Sequence, residues 1–152
     1  MKSRTILAIL ATAALLAGGV ALAPVGAASH GDPATSVMHV QLHPLAFSGV
    51  VGSATLTYNP GANTTTVKVS VHNLEPGSVH PEHIHAGKCS TNGPVLAALG
   101  SIKADARGTG TVTSVITGSF MRKQAYINLH MGPGVTLTQY TVLACGELGK
   151  TK

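Results

Sequence analysis

Residues 80–89 read HPEHIHAGKC, which puts three histidines, a carboxylate and a cysteine into ten positions of a chain in which only 10% of residues are charged. Imidazole is the commonest metal-binding side chain of proteins. His83 and His85 lie two apart, and on a β-strand residues i and i+2 project from one face. Ile84 then turns the opposite way, toward a core. The segment AYINLH at 125–130 repeats the pattern, with Ile127 and Leu129 inward and Asn128 and His130 outward. His130 thus offers a third imidazole from a separate strand, and a three-histidine set suits copper or zinc. A lone histidine is more often an ordinary polar surface group; an HxH pair with a distant third favours a metal site. His80 precedes Pro81, which interrupts strand regularity, and is expected to orient a ligand rather than to be one. Glu82 could close the coordination sphere by sequence proximity, but strand alternation points it away. His39, His43 and His72 have no partner at suggestive spacing and are read as structural. His30 lies in a polar tail.

These side chains need strands to aim them, and the chain supplies strand signals at close intervals. Segments rich in Val, Ile and Thr run over 37–42, 50–58, 65–74, 83–85 with flanks, 97–104, 110–116, 125–130 and 140–145, several alternating in polarity as in TTVKVSV and GTVTSVI. Turn signals separate them: NPGAN, EPGS, DARG and GPG. No segment after residue 30 has a convincing helical period. About eight short strands with Gly/Pro turns predict an all-β fold, an eight-stranded antiparallel Greek-key barrel or sandwich. With two Phe, three Tyr and no Trp, its core must be built mainly from Val, Ile, Leu and Ala.

The first thirty residues are of another kind. Lys2 and Arg4 precede a largely apolar run and then small residues, the layout of a secretory signal peptide over 1–28, with cleavage after Ala27 or Ala28. Residues 29–36 are expected to form a flexible tail and 37–149 the barrel domain. The protein is therefore expected to be secreted or otherwise extracytoplasmic, with a membrane association only if the leader stays uncleaved. The mature part would carry only about three net positive charges, and its Lys and Arg are scattered without interleaved aromatics, so nucleic acid is not expected as a partner. Cys89 and Cys145 are the only cysteines, and in an oxidising compartment their default state is one disulfide. Closing a loop of that length stabilises by about 4 kcal/mol in the chain-entropy model. Thiolate ligation of a metal is the weaker reading, because neither cysteine sits in a CxxC pair.

LEPGSVHPEHIHAGKC resembles the copper-binding segment of Cu,Zn superoxide dismutases, and LGSIKADARGTGTVT, AYINLH and LACGEL resemble three later stretches of that family in the same order. The likeness runs from about Val50 to Leu148. It implies copper ligation by His83, His85 and His130, a supporting histidine at His80, and a disulfide between Cys89 and Cys145. The departures are specific. Ser90–Ala98 is short where the family has its zinc-binding loop, and no histidine occurs from Ala86 to Leu129, so no zinc and no bridging imidazole are expected. The stretch 131–139 carries no charge, and the family's active-site arginine is Val142 here, so an anionic substrate loses its guidance. A second resemblance is to CHRD domains, extracellular β modules sharing an HxH and an NxH strand, carried by HIHAGKCSTNGPVLAAL and QAYINLHMG. The cysteine pair leans toward the dismutases and the ligand-poor loop toward CHRD.

Three functions follow. The first is a copper-only, dismutase-like protein acting weakly on superoxide, with no catalytic residue beyond the metal ligands. The second is a non-catalytic copper-binding or buffering protein whose partners are copper donors and acceptors. The third is a metal-free extracellular structural module. Nothing in the sequence resembles a serine or cysteine triad.

Overall fold

The computed structural model describes residues 34–133 and 140–149. The expected leader at 1–28 and most of the 29–36 tail lie outside the described residues, as do residues 134–139 of the 131–139 stretch. Among the described residues there is no helix, and ten strands form. They are β1 (Ser36–Pro44), β2 (Val51–Asn59), β3 (Thr64–His72), β4 (Val79–His80), β5 (Glu82–Ala86), β6 (Val95–Ala98), β7 (Ile102–Lys103), β8 (Gly110–Thr117), β9 (Ala125–His130) and β10 (Val142–Leu148). Eight of them make one nearly closed antiparallel sheet in the order β6-β5-β9-β10-β1-β2-β3-β8, and β4 pairs separately with β7.

Alternation of side chains builds this wall. In β3, Thr65, Val67, Val69 and Val71 are fully buried while Lys68 and His72 face solvent. β1 joins the two halves of the sheet: Ser36–Leu42 pair with β2, whereas His43 and Pro44 pair with Cys145 and Ala144 of β10. The outermost strands β6 and β8 approach each other through the connection after β6, where the Gly100 amide donates to Ser114 Oγ at 2.8 Å. A side chain at Gly100 would come within 2.7 Å of Val112 Cγ2, so this closure requires glycine. Leu56, Val67, Val69, Val71, Ile84, Ile102, Ile127 and Leu129 fill the interior completely shielded from water. Each such aliphatic side chain contributes about 1.5–3 kcal/mol through burial. The core is aliphatic, as the composition requires.

Most expected strand ends shift by one to three residues, and two differences go further. The segment 97–104 is not one strand but β6 and β7 with a break at Leu99–Ser101, and β4 is an additional two-residue strand. The break lets the chain leave the main sheet at Leu99, whose amide donates to Glu82 O, and cross to its pairing with β4.

Candidate metal centre

Strands β5 and β9 lie side by side, pairing Glu82 with Leu129, His83 with Asn128, Ile84 with Ile127 and His85 with Tyr126. Directly paired residues share a face. Ile84, Ile127 and Leu129 therefore point into the core, and His83, His85, Tyr126, Asn128 and His130 point outward. Those outward side chains are nevertheless mostly buried, because the β5–β6 connection folds back over them. Cys89 in that connection forms a disulfide with Cys145 on β10. The result is a cleft of about 780 Å³ whose floor is the histidine face and whose roof is Thr91–Val95.

His83, His85 and His130 each bring one ring nitrogen within 4.8 Å of the other two, and they are the only set of three metal-capable His, Cys, Asp or Glu side chains so grouped among the described residues. The ring centroids are 5.3 to 6.4 Å apart. The main chain orients two of the rings. His85 Nδ1 lies 2.8 Å from Gly93 O and His130 Nδ1 lies 2.9 Å from Tyr140 O. A carbonyl oxygen only accepts, so both rings carry their proton on Nδ1 and turn a lone pair outward on Nε2. His85 Nε2 and His83 Nδ1 are buried with no protein partner. An unpaired buried polar atom costs about 1–3 kcal/mol, and lone pairs left bare at one point fit a cation. His83, His85 and His130 are thus the residues that could hold a metal, by Nδ1, Nε2 and Nε2. Partial burial, then the nearby His130 and His85, hold the His83 imidazole below its ordinary pKa, so it stays neutral and available as a ligand.

The remaining expected residues take distinct places. His80 is buried, and its Nδ1 donates to the main-chain oxygen of His130 at 2.8 Å while Nε2 meets Ser78 Oγ at 2.7 Å. It supports the backbone that carries His130 and not a ligand ring; the rings are oriented by Gly93 and Tyr140 carbonyls. Cys89 and Cys145 form the expected disulfide. His39 and His72 stand on the outer faces of other strands, bonded to Thr55 and Thr109, and His43 is exposed on β1. Val142, where the dismutase resemblance led to an expected loss of an arginine, lines the cleft without charge.

Several contributors had no signal in the sequence. Gly93 sits so close to β5 that a Cβ would fall 1.8 Å from Ala86 O, which is how its carbonyl reaches His85. Tyr126 stacks on the His85 ring at 5.2 Å, donates to Thr91 O at 2.9 Å and accepts from the Gly93 amide at 3.3 Å. Tyr126 and Asn128 were detectable only as the outward positions of the strand that presents His130. Glu82 points into the barrel as alternation requires, is fully buried, and neither carboxyl oxygen has a protein partner. Burial pushes its pKa up to about 8, so it is a neutral acid at pH 7. The fold also gathers cations that look scattered in the sequence: Lys88, Arg122 and Lys123 border one cleft at the far end of β9.

The model of the CHRD domain family matches residues 26–133, well over half of the chain. Its span includes Cys89, all three clustered histidines and Asn128, and ends before β10 with Cys145. No curated protein matches the chain. The match falls on the second of the two family resemblances, and the dismutase resemblance has no matching family model. With its HIH and NLH segments on adjacent strands of one barrel, the chain belongs to the CHRD domain family.

Proposed function

We propose that this chain is an exported CHRD module that binds one copper ion through His83, His85 and His130 and holds it for exchange, without physiological turnover. The observation that carries the reading is the convergence of three ring nitrogens within 4.8 Å, two of them on rings already set by main-chain carbonyls. Preset rings lower the ordering cost of binding. All-nitrogen donor sets favour copper over the harder divalent cations. Met131, 40% exposed beside His130, offers a thioether to Cu(I) on its way in or out. The disulfide supports residence in an oxidising compartment. No zinc is assigned.

Dismutation of superoxide is the second reading, favoured by half-buried His83, the most exposed of the three imidazoles lining the cleft. Bound copper would supply one-electron chemistry between Cu(II) and Cu(I). The protein's own part would be modest: Val142 gives an incoming anion no docking charge, and among the described residues no fourth imidazole lines the cleft to deliver a proton.

Copper titration of the purified protein against a competing chelator, with EPR, tests both. One tightly held Cu(II) with nitrogen hyperfine structure, lost in His83→Ala and in His130→Ala, supports the site. Slow superoxide decay by that loaded protein supports exchange, and fast decay supports dismutation. Tight binding retained in both variants would remove the ligand assignment, and no tight copper in the parent would leave a metal-free module.

A further inference from the structure

We propose that Asn128 supplies a fourth, oxygen ligand to the ion held by His83, His85 and His130, an inference that rests on the metal-binding reading above. Asn128 shares the outward face of β9 with Tyr126 and His130 and is the direct partner of His83 on β5. Side chains paired in this way have Cβ atoms about 5 Å apart, and His130 is the next residue along the same face. The carboxamide is therefore flanked by two of the three imidazoles and lies on the floor of the same cleft.

The residue is 3% exposed, and its Oδ1 is buried without a hydrogen-bond partner. Buried amide oxygens are rarely left so. The pattern of such atoms is informative. Glu82 accounts for two of them on the inner side of the sheet. The other three are His83 Nδ1, His85 Nε2 and Asn128 Oδ1, all on the outer face of two adjacent strands. Two imidazoles and an amide have little in common except a lone pair free to donate. A single cation satisfies all of them, together with His130 Nε2.

The chemistry of the group fits. A neutral amide oxygen is a weak donor that would add to the three imidazoles without adding charge, with an effect on affinity smaller than that of any one histidine. Being uncharged, it also costs less to bury in the metal-free protein than a carboxylate would. Asn128 is separated from the disulfide only by its pairing with Cys145, so β10 holds the strand from the other side and leaves the side chain one direction to face.

The test compares Cu(II) binding and EPR spectra of the full protein with those of Asn128→Leu and Asn128→Asp. Leucine keeps the volume and removes the donor; aspartate keeps an oxygen at the same place. Leucine is expected to weaken copper about tenfold and to change the copper hyperfine coupling, with metal-free thermal unfolding as the control for folding. Aspartate is expected to restore or exceed the parental affinity, which a purely structural asparagine would not allow. A leucine variant with parental affinity and an unchanged spectrum overturns the inference while leaving the three-histidine site intact. Failure of the parent to bind copper overturns both.

Discussion

Replacement of Glu82 by Gln should reverse part of the pH dependence of folding. The carboxyl is fully shielded inside the barrel and neither oxygen has a protein partner. Its pKa rises from 4.5 to about 8 through burial, whereas the unfolded chain titrates it near the ordinary value. The native state therefore holds one more proton than the unfolded state between these limits. Stability that is fully present below pH 4.5 is lost as pH rises toward 8, at 1.36 kcal/mol per pH unit. By pH 7 the loss is about 3 kcal/mol, and it levels off near 5 kcal/mol above pH 8. Such a loss is a large share of a typical domain stability of about 5–15 kcal/mol. Gln has the shape of the neutral acid and does not titrate. The stability of Glu82→Gln minus that of the parent should therefore climb by about 3 kcal/mol from pH 4.5 to pH 7. Urea unfolding followed by near-ultraviolet circular dichroism, with chelator present to keep the protein metal-free, measures it. The depressed His83 imidazole has the opposite sign, adding stability as pH rises toward 6.5, but it is common to both proteins and cancels in the difference. A difference that stays flat across this range would refute the burial argument.

Other perturbations test the architecture around the cluster. Gly93→Ala places a methyl against Ala86 O, shifts the carbonyl that orients His85, and should weaken copper binding by about 10–100-fold in a chelator competition. Tyr126→Phe keeps the stacking on His85 but removes the hydroxyl between Thr91 O and the Gly93 amide. It should cost about 1 kcal/mol in urea unfolding, and no change would show that the roof does not depend on it. The double variant Cys89→Ser, Cys145→Ser should lose about 4 kcal/mol of stability and weaken the copper site as the roof loosens. Unaltered stability there would mean that noncovalent contacts alone fasten the loop.

The parts of this fold that could be read from the sequence are those governed by period two. In β3 the inner face is Thr65 and three valines while the outer face carries Thr, Ser, Lys and His, and β8 alternates more loosely, so the strands declare themselves. The same alternation placed Ile84, Ile127 and Leu129 inside and the histidines outside. It said nothing of β4 and β7, which at two residues each are too short to show a period. In β9 all six residues are buried, because the roof covers the outward face, and only the alternation of Ile127 and Leu129 with Asn128 and His130 distinguished the two sides. The supports of the site were invisible for a different reason: carbonyls of Gly93 and Tyr140 hold the rings, and backbone atoms leave no mark on residue type. Tertiary folding also decided where His80 would bond, since its partner is a main-chain oxygen fifty positions away. Glu82 was correctly aimed by alternation, but its isolation there depends on which neighbours fill the barrel end.

The three imidazoles are not equivalent, because no hydrogen bond from the described residues restrains the ring of His83, which is also the one reaching solvent, while the other two are clamped by the main chain. In a loaded protein this asymmetry makes residue 83 the swinging jaw of a vice with two fixed ones. The dissociation rate would be governed there, by rotation of one side chain, even though all the donors share in the equilibrium constant. An acceptor arriving at the mouth could then take the ion by replacing ligands one after another, starting at position 83, with the barrel folded throughout.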